Sequence, residues 1–155
     1  LCQRVVAFVM KNCDGKIPTK IDFQPDDLKI LNKYQKNLDI IRSKINEQNI
    51  NFYIDFIINS LFDANKYFND QEPWKKKDDL IRLNTIVYTA LEIVRKISFL
   101  LYPIIPDTSL KALKIFNLSE KDIKLETISN NEFIIKGNMI NKIGILIKKI
   151  EKKDD

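Results

Sequence analysis

A chain of 155 residues, 45% hydrophobic and 30% charged, carries enough apolar surface for one compact domain, or one domain plus a short appendage, which excludes global disorder. Its net charge of +5 admits a polyanionic partner, although Lys greatly outnumbers Arg and Ile and Asn abound, a skew that a low-GC genome explains as readily as function does. No apolar run approaches the ~18 residues a membrane span needs, no signal-peptide pattern opens the chain, and the missing initiator Met leads us to expect a piece of a longer polypeptide.

Taken in chain order, the apolar spacing predicts about five helices. Leu1, Val5, Phe8 and Val9 form one face of the first, which stops at Asn12-Cys13-Asp14-Gly15, with Gly15 suited to a left-handed turn. Pro18 and Pro25 bracket an irregular, partly extended connection. Pro25, Asp26 and Asp27 then open a second helix, whose apolar stripe is Leu28, Leu31, Tyr34, Leu38, Ile41 and Ile45. A third helix follows Asn49-Ile50-Asn51, with Ile54, Ile57, Ile58, Leu61, Ala64 and Phe68 inward, and Pro73 ends it at or before Glu72. The fourth spans about Asp78 to Leu101, with Leu80, Leu83, Val87, Ala90, Leu91, Val94, Ile97 and Leu101 inward, and stops before Pro103. Pro106 to about Phe116 makes a shorter fifth.

Beyond Phe116 the pattern weakens. Ser119 to Asp122 can cap a single turn, Glu132 to Lys136 reads as a brief extended piece, and Ile143 to Ile150 is apolar enough to dock on the bundle. The expected organisation is an all-α bundle over 1–118, an irregular C-terminal extension over 119–150, and a solvated tail over 151–155.

The chemistry is narrowed by absences. There is no His, and the three glycines, Gly15, Gly137 and Gly144, are too dispersed for a phosphate-cradling loop, so self-contained catalysis is not expected. Asp26, Asp27, Asp78 and Asp79 read as helix-start residues rather than catalytic or metal-binding groups. Tyr34, Tyr53, Tyr67 and Tyr88 are explained by core packing. Cys2 and Cys13 lie on one helix ~16 Å apart, too far for a disulfide, which fits a reducing, cytoplasmic compartment.

Two features point to nucleic acid. The sole Trp, Trp74, sits at a helix end before Lys75-Lys76-Lys77, where a base can stack on the ring for ~1–3 kcal/mol while ammonium groups meet phosphates. The plain alternative is a Trp that plugs the bundle end. Arg4, in the first helix, offers a guanidinium fork able to read a base edge, and Lys11 lies two turns further along the same side.

Leu1-Cys2-Gln3-Arg4-Val5 through Lys11-Asn12-Cys13-Asp14-Gly15-Lys16-Ile17-Pro18 resembles the opening helix of the methionyl-tRNA synthetase anticodon-binding domain. Ala64-Asn65-Lys66-Tyr67 to Gln71-Glu72-Pro73-Trp74 resembles that family's second signature, and Leu100-Leu101-Tyr102-Pro103-Ile104-Ile105-Pro106 is similar to the end of its next helix. The likeness covers residues 1–118. It implies a helical anticodon-binding domain on the C-terminal side of a class I synthetase, with Trp74 stacked on an anticodon base and Arg4 contacting the anticodon; Lys11, by its spacing from Arg4, and Asn65, in the second signature, are the further RNA-binding candidates.

The implied partners are the anticodon loop of methionine tRNA, with its CAU anticodon, and the catalytic domain of the same polypeptide. ATP and a structural zinc belong to that catalytic portion, and no cofactor, catalytic residue or metal ligand is expected in this chain. The family carries an Asn immediately before the position of Leu1, and a Phe-Pro-Arg-Ile sequence where this chain reads Ile147-Lys148-Lys149-Ile150. One geometric demand follows: Arg4 and Trp74 must share an end of the bundle, so the connection from Gly15 to Gln24 must travel back, which ten residues at ~3.3 Å each can do. The anticodon-binding domain of a sister class I synthetase and a helical protein-interaction module stay open. Asp14-Gly15 with Pro73-Trp74 discriminates the first, and an exposed apolar stripe would mark the second.

Overall fold

One helix, buried on every side, organises the molecule. The computed structural model describes residues 1–147, in which α1 (Cys2–Asn12), α2 (Pro25–Asn46), α3 (Ile50–Gln71), α4 (Leu80–Leu101) and α5 (Pro106–Leu113) form the predicted bundle. Single turns of 3-10 helix cover Pro73–Lys75, Lys114–Phe116, Glu120–Asp122 and Leu125–Ser129. None of the described helices is long and apolar enough to cross a membrane.

From Thr85 to Leu100 every residue of α4 is buried. On one side Leu83, Val87, Leu91 and Val94 pack against Val5 and Val9 of α1, Ile17, Phe68, Phe116, Ile134 and Ile140. On the other, Ile93, Ile97 and Leu100 meet Leu31, Tyr34 and Ile41 of α2, Tyr53 and Ile57 of α3, Leu113 and Ile128. Burying each such side chain contributes on the order of 1.5–3 kcal/mol, so the two cores share α4 as a common wall.

Local signals set the helix ends. Beyond Asn12, Asp14 and Gly15 both take left-handed φ, of 50° and 68°, and the Gly15 N–H returns to Val9 O at 3.2 Å. A Cβ on Gly15 would meet the Met10 sulfur at 3.2 Å, so glycine suits the turn on both counts. Asn49 caps α3 by accepting from Phe52 N at 3.1 Å, and Asp79 caps α4 by accepting from Arg82 N at 2.9 Å.

Four residues assigned inward are on the surface: Leu28, Ile45, Ile58 and Leu80. Leu28, Ile45 and Leu80 lie within the first or last turn of their helices, and Ile58 lies on an exposed side in the middle of α3. The extended piece expected over Glu132 to Lys136 is a run of turns, because its polar backbone groups meet side chains rather than a strand. The described residues hold one β-bridge, between Lys16 and Met139, with Ile17 N donating to Asn138 O at 2.9 Å and Gly137 N to Ile17 O at 2.8 Å.

The extension is fastened by charged residues on the buried face of α4. Arg95 donates to Thr127 O at 3.2 Å and Asn130 O at 2.7 Å, with its Nε on Glu92 Oε2 at 2.7 Å. The other Glu92 oxygen accepts from Ile134 N at 2.8 Å, and the Tyr88 hydroxyl donates to Ile134 O at 3.0 Å. Lys96 is fully buried and donates to Ile128 O at 2.6 Å and Asn131 Oδ1 at 2.5 Å. Further on, Ile143 packs partly on the core whereas Ile145 and Ile147 are largely exposed, so docking over Ile143 to Ile150 is confined, among described positions, to its start. Residues 148–150 and the 151–155 tail lie outside the described residues.

Candidate nucleic-acid interface

The corner between α3 and α4 is built around Pro73. Because proline disfavours helical geometry in its predecessor, Glu72 leaves α3 in the left-handed region, at φ 46° and ψ 58°. Pro73 is buried, and the 3-10 turn it opens presents Trp74 outward with 41% of its surface exposed. The covered part of the indole meets Phe68 near the end of α3, with ring centroids 6.2 Å apart at 66°. The ring is anchored on one side and open to a ligand on the other, the arrangement that base stacking requires.

Arg4 arrives from α1. Its guanidinium carbon lies 5.1 Å from the Phe68 centroid and 6.0 Å from that of Trp74. One terminal nitrogen donates to Asn69 Oδ1 at 2.5 Å. That bond fixes the direction of the fork and leaves most of its five N–H donors unused. Phe8, one turn along α1, meets Phe68 edge-on with centroids 5.9 Å apart, so the same ring that supports Trp74 also seats α1. The shared end demanded of Arg4 and Trp74 is therefore present.

A buried polar network underlies the corner. Asp27, in the first turn of α2, is fully buried and grips Arg82 in the first turn of α4 through both oxygens, at 2.6 and 3.0 Å. The Tyr67 hydroxyl donates to the same carboxylate, and Gln71 Oε1 accepts from Arg82 at 2.6 Å. The start of α2, the end of α3 and the start of α4 are thereby tied together directly beneath Pro73. Asp27 also accepts from Gln24 N at 2.8 Å, so its helix-start role stands and the ion pair is added to it. The connection from Gly15 thus returns to this end of the bundle, with Asp22 N donating to Thr85 Oγ1 at 2.8 Å on the way.

The remaining sequence candidates stand further off. Asn65 lies one turn before Asn69, half-buried, with its amide donating to Leu61 O of its own helix at 3.0 Å. Lys11 is exposed on α1, roughly 10 Å along the axis from Arg4. Beyond Trp74, Lys75 pairs with Glu72 at 2.8 Å and Lys77 is exposed. Asn69 and Phe68 were not among the candidates: Phe68 looked like ordinary core, and no local pattern links Asn69 to a residue 65 positions earlier. Cys2 and Cys13 are free thiols, each pushed up to about 11 chiefly by burial, so neither is a ready nucleophile. No group of three or more Cys, Asp or Glu side chains is placed to hold a metal among the described residues.

Comparison with known proteins converges on one kind of domain. A family model described as the anticodon binding domain of methionyl tRNA ligase matches residues 17–155, a stretch that contains Asn65 and Trp74 and begins after Arg4 and Lys11. The methionine–tRNA ligase of Brucella suis is 33% identical over 116 residues, covering 74% of this chain and 22% of that protein. The Thermotoga maritima methionine–tRNA ligase is 29% identical over 156 residues, covering 99% of this chain and 25% of its own length. Among solved structures, the free form of Mycobacterium tuberculosis methionyl-tRNA synthetase superimposes with a TM-score of 0.88 at 24% identity, over 98% of this chain and 31% of that one. The same enzyme in complex with methionyl-adenylate gives 0.86 at 25% identity, over 96% and 30%. The chain thus spans less than a third of the length of these relatives.

Proposed function

The chain belongs to the family of anticodon-binding domains of methionyl-tRNA ligase, and from that premise we propose that it reads the CAU anticodon of methionine tRNA with Trp74 and Arg4. The observation that carries this reading is the pairing of the two side chains, 70 residues apart in one helix and one turn, on a single Phe68-centred platform. A loop base stacks on the open face of Trp74, which supplies affinity without sequence preference. The Arg4 fork, oriented by Asn69, donates to the edge of an unstacked base. Cytosine presents two adjacent acceptors there, and a base lacking them leaves donors unpaired. Lysines around the platform, Lys11 and Lys77 among them, add affinity that weakens with salt.

In this reading the chain is the tRNA-recognising part of a cytoplasmic, ATP-dependent methionine–tRNA ligase and works attached to that enzyme's catalytic domain, where ATP and any structural zinc reside. Asn65 takes a supporting place, since its amide is turned onto Leu61 and faces an adjacent turn of α3. The 1–118 bundle carries the recognition, and the described part of the extension, residues 119–147, braces it.

Because Trp74 is the sole Trp, its emission reports on the site directly. Titration with an anticodon stem-loop bearing CAU is expected to quench it, and a loop with one altered anticodon base to bind at least tenfold more weakly. Trp74→Ala should weaken binding to both loops, and Arg4→Ala, followed by anisotropy of labelled RNA, should remove the preference. Equal binding of the two loops by the unmodified chain would refute the proposal.

A further inference from the structure

The described surface holds a second cationic feature at a different place from Trp74. Lys111 and Lys114 stand three residues apart, at the end of α5 and in the turn after it, which puts them on one face. The extension brings Lys142 to them. Asn141 N donates to Ile115 O at 3.0 Å, and its side-chain amide donates to Lys114 O and Asn117 Oδ1, each at 2.7 Å. The three lysines and residues 143–146 line a concavity of about 310 Å³. Among the described residues no carboxylate lines it, and none of the three lysines is in an ion pair. The larger groove between α2 and α3 is different in kind: its lysines share it with three aspartates, two of them paired with Lys33 and Lys66 at 2.6 Å.

The Asn141 bonds therefore bring three lysines to the rim of one hollow, and an anion seated there relieves the repulsion among their ammonium groups. The hollow is also tied to the recognition end. Gln3, the residue before Arg4, donates through its side chain to Gly144 O at 3.2 Å, so the wall of the concavity rests on the turn of α1 that carries Arg4. Lysines are point charges on flexible stems, suited to phosphates met in any sequence context and not to the planar edge of a base.

We propose that Lys111, Lys114 and Lys142 bind the phosphodiester backbone of the same RNA whose loop meets Arg4 and Trp74, a second contact that adds affinity without anticodon preference. The inference rests on the proposed function above and extends its surface to the far side of α1's first turn.

The test uses the whole chain, labelled CAU and altered-anticodon stem-loops, and a salt series. The variant Lys111→Gln/Lys114→Gln/Lys142→Gln changes three exposed side chains, and circular dichroism checks its fold. The control, Lys29→Gln/Lys36→Gln/Lys124→Gln, removes the same charge elsewhere. The expected result is a roughly tenfold loss for both loops alike at low salt, with the slope of log affinity against log salt shallower by about 3 and a clearly smaller change in the control. A triple variant that matches the control overturns the inference, and if Trp74→Ala still weakens RNA binding there, the proposed function survives it. A slope that falls in a chain showing no anticodon preference does the reverse: the backbone site stands and the anticodon reading fails. No binding of either loop sinks both.

Discussion

Replacing Lys96 with Met should change how stability depends on pH more than it changes the fold. Lys96 is fully buried, between α2 and the extension, with Arg95 beside it, Glu92 one turn before it and the Tyr34 ring 5.7 Å away. Burial, reinforced by Arg95, pushes its ammonium down from 10.5 to about 7. In the unfolded chain the same group holds its proton up to about pH 10.5. Between those values the unfolded state binds more protons, so stability rises with pH through that window and is least below pH 7. Integrated from pH 7 to 9, a group with these two values contributes about 2 kcal/mol of added stability at the upper end. Urea denaturation of the chain and of Lys96→Met at half-unit pH steps gives two curves. Their difference isolates Lys96, because the two cysteines, whose raised values act in the opposite direction, are common to both.

At fixed pH the substitution also strands two acceptors, Ile128 O and Asn131 Oδ1, for a further loss of about 2–4 kcal/mol. The signature of this loss is a variant that is less stable at every pH tested and most so at pH 9. Parallel curves over pH 7–9 would refute the assignment of a depressed ammonium to Lys96.

Arg82→Met leaves the Asp27 carboxylate buried without its partner and should destabilise the chain by about 3–5 kcal/mol in urea, with a change in Trp74 emission because the corner beneath it loosens. Arg4→Lys keeps the charge and loses the fork, so affinity for the CAU loop should fall towards that for an altered loop, with little change in salt dependence. Alkylation of Cys2 and Cys13 at pH 8 should run about a hundredfold slower in the folded chain than in urea, since values near 11 leave little thiolate. Rates that match in the two states would mean that the thiols are not shielded.

What was readable in the sequence was mostly local. Pro25, Asn49, Pro73, Asp79 and Pro106 announce helix starts or stops within a few residues of where they fall, because capping and proline sterics act over one turn. Arg4 and Trp74 could be picked out by residue type and context, and their shared end followed from the family resemblance. What was not readable depends on burial. A helix read as one-sided, α4, is enclosed on all sides, so Glu92, Arg95 and Lys96 occupied positions that a stripe argument leaves to solvent. Asp27 looked complete as a helix-start carboxylate, and its partner lies 55 residues later, a separation that periodicity does not encode. The same holds for Asn69. Its value comes from where α1 docks, and that depends on Phe8 meeting Phe68.

The way α4 grips the extension bears on how this part of the chain can change over time. Arg95, Lys96, Glu92 and Tyr88 seize peptide atoms: the carbonyls of Thr127, Ile128, Asn130 and Ile134 and the amide of Ile134. Peptide groups are alike in nearly every residue, so the address is written in α4 and the addressee carries almost no text of its own. Substitutions along 127–134 can accumulate without undocking it, apart from Ile128 and Ile134, which fill the core, Phe133, whose ring meets Arg95 and Phe99, and Asn131, which meets Lys96 with its side chain. A proline is the exception at 134, since it would remove the one amide that Glu92 requires. Drift in the extension and constancy in four positions of a single helix are two sides of the same attachment.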